Sequence, residues 1–251
     1  MYTAKKQVII VYSSLGIGWL LLMIIIFSFI LSGCSKEVLG GSGLVVTEKR
    51  QTGSFTDVAV DGPFYVHLKQ AADTRVEISA EDNLMRVIDT YVTGSTLHVT
   101  LKKGVRLNFY KDINVYLQSE HYHAVSFSGS GSIDNTDTLR TDNFDYTVNG
   151  SGNARFTVVT PKLETLVNGS GDVTLYGSAG VYNSDINGSG DISALGLACT
   201  DAEISVKGSG GHTLSVSHAL DVSIWGSGNV QYKGNPTVNT EIQGSGRVIK
   251  L

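Results

Sequence analysis

Val167-Asn168-Gly169-Ser170-Gly171-Asp172-Val173-Thr174-Leu175 recurs nineteen residues later as Ile186-Asn187-Gly188-Ser189-Gly190-Asp191-Ile192-Ser193-Ala194, and this echo decides the fold. Gly-Ser-Gly begins at Gly129, Gly150, Gly169, Gly188, Gly208, Gly226 and Gly244, at intervals of 21, 19, 19, 20, 18 and 18 residues. Periods near 20 residues define a solenoid or array, in which each repeat buries its apolar face against its neighbours. Two places before every motif stands an apolar residue: Phe127, Val148, Val167, Ile186, Val206, Ile224 and Ile242. The position between is polar (Ser128, Asn149, Asn168, Asn187, Lys207, Gln243), with Trp225 the exception. That alternation has the period of two of a strand with one side against a core.

Past the turn the alternation resumes in Val173-Thr174-Leu175, Ile192-Ser193-Ala194 and Val230-Gln231-Tyr232, and a second turn falls mid-unit at Gly177-Ser178-Ala179-Gly180, Leu195-Gly196 and Gly234-Asn235-Pro236. Two or three short strands per period predict an all-β, parallel β-helix-like solenoid over 125–251. A coil of about 20 extended residues has a perimeter near ~66 Å, and coils stacked ~4.8 Å apart give a rod roughly 30 Å long. Glycine suits a corner that needs positive φ or close backbone approach. Asn149, Asn168 and Asn187 recur at one corner and suit a stacked amide ladder, with solvated turn asparagines as the alternative.

Outward from the repeats, a smaller β segment over 53–124 continues into the solenoid. Its strands are Val58–Val60, Phe64–Leu68, Arg75–Ile78, Thr96–Leu101 and Ile113–Leu117, with a turn at Asp61-Gly62-Pro63 and one helical turn within Glu81–Ile88. Before it, 34–52 contains Leu39-Gly40-Gly41-Ser42-Gly43 and reads as a flexible tether.

Residues 1–33 read as an address. Lys5 and Lys6 precede an apolar run from Val8 to Leu31, a charged n-region before an h-region. The run is also long enough for a membrane span. Its end, Leu31-Ser32-Gly33-Cys34, resembles the bacterial lipobox, which implies a signal peptide cleaved before Cys34 and palmitate-type acylation of that residue. Two or three acyl chains anchor durably where one does not. Ser35, rather than Asp, after the lipidated cysteine implies the outer membrane, with surface exposure left open.

A net charge of −4 without a run of Lys or Arg gives no footprint for nucleic acid. The 29 glycines lack a three-residue period, which excludes collagen and favours turns. With Cys34 acylated, Cys199 remains as a lone thiol and reads as a buried structural residue.

Together Gly62-Pro63-Phe64, Glu81-Asp82-Asn83-Leu84, Asp112-Ile113-Asn114-Val115 and the repeated Asn-Gly-Ser-Gly-Asp at Asn168 and Asn187 resemble the family described as the putative autotransporter adhesin head GIN domain. The likeness runs from about Gly53 to Leu251. It implies a β-helix-like fold on secreted or lipid-anchored bacterial proteins, with adhesion proposed by analogy, no established ligand and no catalytic residues to carry over. Gly211-His212 departs from the usual acidic start of a coil, and Val248-Ile249-Lys250-Leu251 lacks an obvious cap, which favours self-association there.

No Gly-x-Ser-x-Gly elbow accompanies the repeated serines, so they read as turn residues and no catalytic residue is expected. Asp172 and Asp191 stand out of register for a calcium β-roll, leaving only loose surface calcium against solvated charges. His121 and His123 lack a third ligand, so no metal and no cofactor are expected. Tyr110, Tyr116 and Tyr122 are read either as an aromatic binding strip or as sheet packing. Three functions stay open. The first is an adhesin or binding module for a glycan or protein ligand; the others are a structural or assembly protein and a polysaccharide-active enzyme. An exposed aromatic or acidic patch along the rod separates a binder from a spacer.

Overall fold

The reason for glycine at both ends of the motif is visible at Gly169 and Gly171. Gly169 has φ +136°, and a Cβ on either residue would overlap a carbonyl oxygen of the coil below, Gly150 or Gly152. The serine between them closes the corner: the Ser170 N–H donates to Gly150 O at 2.9 Å, and the Ser189 N–H to Gly169 O at 2.9 Å.

The computed structural model describes residues 37–251. Its strands are β1 (Glu37–Gly40), β2 (Val45–Arg50), β3 (Asp57–Asp61), β4 (Phe64–Gln70), β5 (Arg75–Glu81), β6 (Ile88–Thr93), β7 (Thr96–Leu101), β8 (Val105–Asn108), β9 (Ile113–Ser119) and β10 (Ala124–Gly129). They continue as β11 (Ser132–Asn135), β12 (Leu139–Arg140), β13 (Asn143–Gly150), β14 (Asn153–Gly169), β15 (Val173–Gly188), β16 (Ile192–Gly208), β17 (His212–Gly226), β18 (Asn229–Lys233), β19 (Thr237–Gly244) and β20 (Arg247–Lys250). A 3-10 turn at Met85–Val87 is the only helical element among the described residues. The stack is a β-solenoid of about 7 turns with a smaller preceding sheet.

Coils pair in parallel and in register. Val148, Val167, Ile186, Val206, Ile224 and Ile242 stack one above another, as the alternation requires, and the first five are fully buried. Register shifts occur at Thr174/Tyr176, Ala194/Ala198 and Cys199/Asp201, where coil lengths change. Phe144, Tyr146 and Phe156 interlock edge to face, with centroids 5.2 and 4.9 Å apart, and fill the core of the middle coils.

The segment over 53–124 is already part of the solenoid. β3 pairs in parallel with β10 and β7, and β4 with β11 and β9. Gly62 (φ +146°) lies under Gly129 and occupies the same corner as the Gly-Ser-Gly motifs. Antiparallel pairs close this end: β2 with β5, β5 with β9, and β6 with β7.

One boundary moves. Residues 37–50, within the stretch read as a flexible tether, form β1 and β2. β2 joins the sheet through β5, and the buried Glu81 carboxylate accepts the N–H groups of Gly43 (2.6 Å) and Lys111 (2.9 Å). Glycine and serine here serve close approach, since a Cβ on Gly41 would overlap the Glu81 carboxylate. Cys34 and the apolar run lie outside the described residues.

Candidate binding faces of the solenoid

In-register stacking lines up the outward side chains of successive coils in columns. At the corner, the Asn168 amide donates to Asn149 Oδ1 and the Asn187 amide to Asn168 Oδ1, each at 3.0 Å, so the asparagine ladder exists. Just past the corner a second ladder runs from side chain to backbone. The Asp172 N–H donates to Asn153 Oδ1 (3.0 Å), the Asp191 N–H to Asp172 Oδ1 (3.0 Å) and the Gly211 N–H to Asp191 Oδ1 (2.6 Å). Asp172 and Asp191 are thereby committed to the turns, and no group of three or more His, Cys, Asp or Glu among the described residues is arranged to hold a metal ion.

A third column is acidic. Asp145, Glu164, Asn183, Glu203 and Asp221 stand opposite one another on β13 to β17, with Asp185 beside them. All but Asp221 border an open groove of about 460 Å³. Burial, and then the neighbouring Glu164 carboxylate, hold the Asp145 carboxyl above its ordinary range. Lys162, paired with Glu164 at 2.5 Å, offsets part of this charge. The column was readable in advance, because each member lies five residues before the first glycine of its motif.

The opposite end of the repertoire is aromatic. Tyr116 stacks on His67 (5.0 Å, 25°), His67 Nδ1 meets Asp134 Oδ1 at 2.9 Å, and Arg155 sits 5.9 Å over the half-exposed Tyr176 ring. The three tyrosines considered as one strip do not form it. Tyr122 is in the core with its hydroxyl donating to Leu117 O at 3.0 Å, Tyr116 stands on the sheet face, and Tyr110 lies at the antiparallel end. His121 and His123 stack 6.4 Å apart, with Glu120 3.7 Å from His121.

Two buried groups lie inside the coils. Cys199 donates its thiol to Ser215 O at 3.0 Å, and burial pushes its pKa up to about 11, which makes it an inert core residue. His212 is fully buried, with Nε2 3.1 Å from the Tyr182 hydroxyl, which is itself 3.1 Å from Thr165 Oγ1. Burial pushes the His212 pKa down to about 3, so it is neutral.

Stacked parallel coils with ladders at the corners define a β-solenoid that presents its outward side chains in columns. The chain belongs to the family described as "Putative auto-transporter adhesin, head GIN domain", whose model matches residues 54–236. It is similar to a crystal structure described as a putative adhesin from Bacteroides fragilis, at 26% identity and a TM-score of 0.82, covering 85% of this chain and 100% of that one. It shares its fold with a protein from Parabacteroides distasonis described as a putative lipid binding protein (20% identity, TM-score 0.73, 86% and 100% covered). A putative adhesin from Parabacteroides merdae is similar in fold as well (23%, 0.68, 86% and 99%). Among curated proteins none matches the chain.

Proposed function

We propose that the chain is a lipid-anchored binding module of the bacterial envelope, held through Cys34 at the outer membrane and performing no catalysis. The acidic column carries this reading. Like charges directly opposite on neighbouring strands are destabilising, and Asp145, Glu164, Glu203 and Asp221 form no ladder of mutual hydrogen bonds such as Asn149, Asn168 and Asn187 do. A spacer gains nothing from such a column, whereas a binder presents it to a partner carrying cationic or hydrogen-bond-donating groups, on a glycan or a protein. The family and the fold relatives support the adhesin class of function, and the lipobox supports the anchor.

Neutralising Glu164, Asp185 and Glu203 together to Gln, Asn and Gln tests it. The triple variant is expected to keep or slightly raise its melting temperature while losing the glycan or matrix-protein binding that the parent chain shows on arrays. A parent chain that binds nothing, or a variant that binds as well, sinks the reading. One observation favours a polysaccharide-active enzyme as the second reading: the raised carboxyl of Asp145 beside Glu164 in a groove, the pairing that glycoside hydrolysis uses. Glycan cleavage abolished by Asp145→Asn would establish that reading instead.

A further inference from the structure

The antiparallel end of the solenoid carries exposed apolar side chains that the fold does not explain. Phe109 is 90% exposed and has φ +49°, a conformation an aromatic L-residue rarely adopts. Around it Val38 is 59% and Leu44 60% exposed. They belong to one surface. β1 pairs with β8, the Gly41 N–H donates to Phe109 O at 3.2 Å, and the Lys111 ammonium donates to Gly43 O at 2.7 Å. Leu39 and Leu107 turn inward from the two strands and pack against the core, leaving Val38 and Arg106 outward.

The same tip is basic in a chain of net charge −4. Leu101-Lys102-Lys103-Gly104-Val105-Arg106-Leu107-Asn108-Phe109-Tyr110-Lys111 holds four cations and no acid. Glu37, exposed on β1 beside Val38, is the acid that shares this surface, and the others nearby are engaged or peripheral: Glu81 is buried on Gly43 and Lys111, Asp82 accepts from Ser42 and from the Asn83 N–H, Asp89 lies 3.9 Å from Lys102, and Asp112 follows the segment.

The length of chain before this tip identifies what covers it. Three residues separate Cys34 from Val38, and an extended chain spans at most ~3.6 Å per residue, so Val38 lies within about 14 Å of Cys34. We infer that the tip formed by Val38, Leu44, Lys103, Arg106, Phe109 and Tyr110 docks on the surface of an anionic bilayer and sets the solenoid upright upon it. Amphipathic aromatic rings settle at headgroup level, and Lys and Arg near the surface gain from anionic lipid. A lipid anchor is held more firmly by such a second signal than alone. The inference rests on the membrane-anchored reading above and holds whether residues 8–31 are cleaved or retained. It turns the connection after Cys34 from a loose leash into an oriented mount.

The test uses the full chain with Trp19→Phe, Trp225→Phe and Phe109→Trp, reconstituted into vesicles of phosphatidylglycerol and brominated phosphatidylcholine. Docking predicts blue-shifted emission that the bromines quench, and no quenching of a Gln231→Trp probe in the same background, at the other end of the coils. Adding Lys103→Glu and Arg106→Glu is expected to relieve the quenching several-fold on anionic vesicles and to change little on neutral ones. A chain that floats with the vesicles while its Phe109→Trp emission stays red and unquenched overturns docking and leaves the anchor standing. A blue shift without bromine quenching means that protein, a second copy included, covers the ring, and it also overturns docking. A chain that does not float removes the anchor and the docking with it.

Discussion

At the corner of the middle coils Gly188 has φ +147° and a Cβ there would overlap Gly169 O, whereas the hairpin glycine Gly94 of the antiparallel end has φ +62° and no heavy atom within 4 Å of where a Cβ would stand. Both break a strand, yet only the first is enclosed by its own fold. In the parallel coils each residue is fixed from above and below, so one substitution propagates to two neighbours. The antiparallel end is bounded by hairpins that tolerate local change, and this freedom lets it carry a tip such as Phe109.

The largest expected effect follows directly. Gly188→Val should unfold the middle coils or cost more than ~4 kcal/mol, whereas Gly94→Ala should cost about 1–2 kcal/mol from its left-handed backbone alone. Urea unfolding of both variants measures this, and equal costs would break the contrast. In the core, Phe156→Ala should lose ~3–5 kcal/mol, since Phe144 and Tyr146 both pack on its ring.

Acid sharpens the comparison next. His212 lies in the parallel coils with its folded pKa lowered to about 3. The unfolded chain takes up that proton first, near pH 6.5, so the stability is fully present above 6.5 and is lost as the pH falls toward 3. At ~1.4 kcal/mol per unit, lowering the pH from 6.5 to 5 should cost about 2 kcal/mol, and the slope should vanish in His212→Leu once the carboxylates are accounted for by the same titration. The smallest effect is at the exposed corner: Asn168→Ala removes two side-chain hydrogen bonds in the ladder and should cost ~1 kcal/mol of unfolding free energy, read in the same urea titration.

The corner glycines and the alternation before them made the coils legible in the sequence, because both are fixed by close contact with the next copy. The same spacing holds the acidic column. The corner at Gly62-Pro63-Phe64 was harder to read, since Phe64 stands where later coils have the second glycine. Tyr110, Tyr116 and Tyr122 share parity, but β9 ends at Ser119 and the turn after it resets the alternation, sending Tyr122 into the core. Strands β1 and β2 hid behind linker-like composition. They are held by Glu81, about 40 residues away in sequence, and no local pattern reports such a partner.

The anchor is tested most directly by radiolabelled palmitate fed to cells producing the chain or its Cys34→Ala variant. Label on the parent chain and none on the variant is the predicted result. A parent chain that stays unlabelled while it is exported and folded contradicts the lipid-anchored reading.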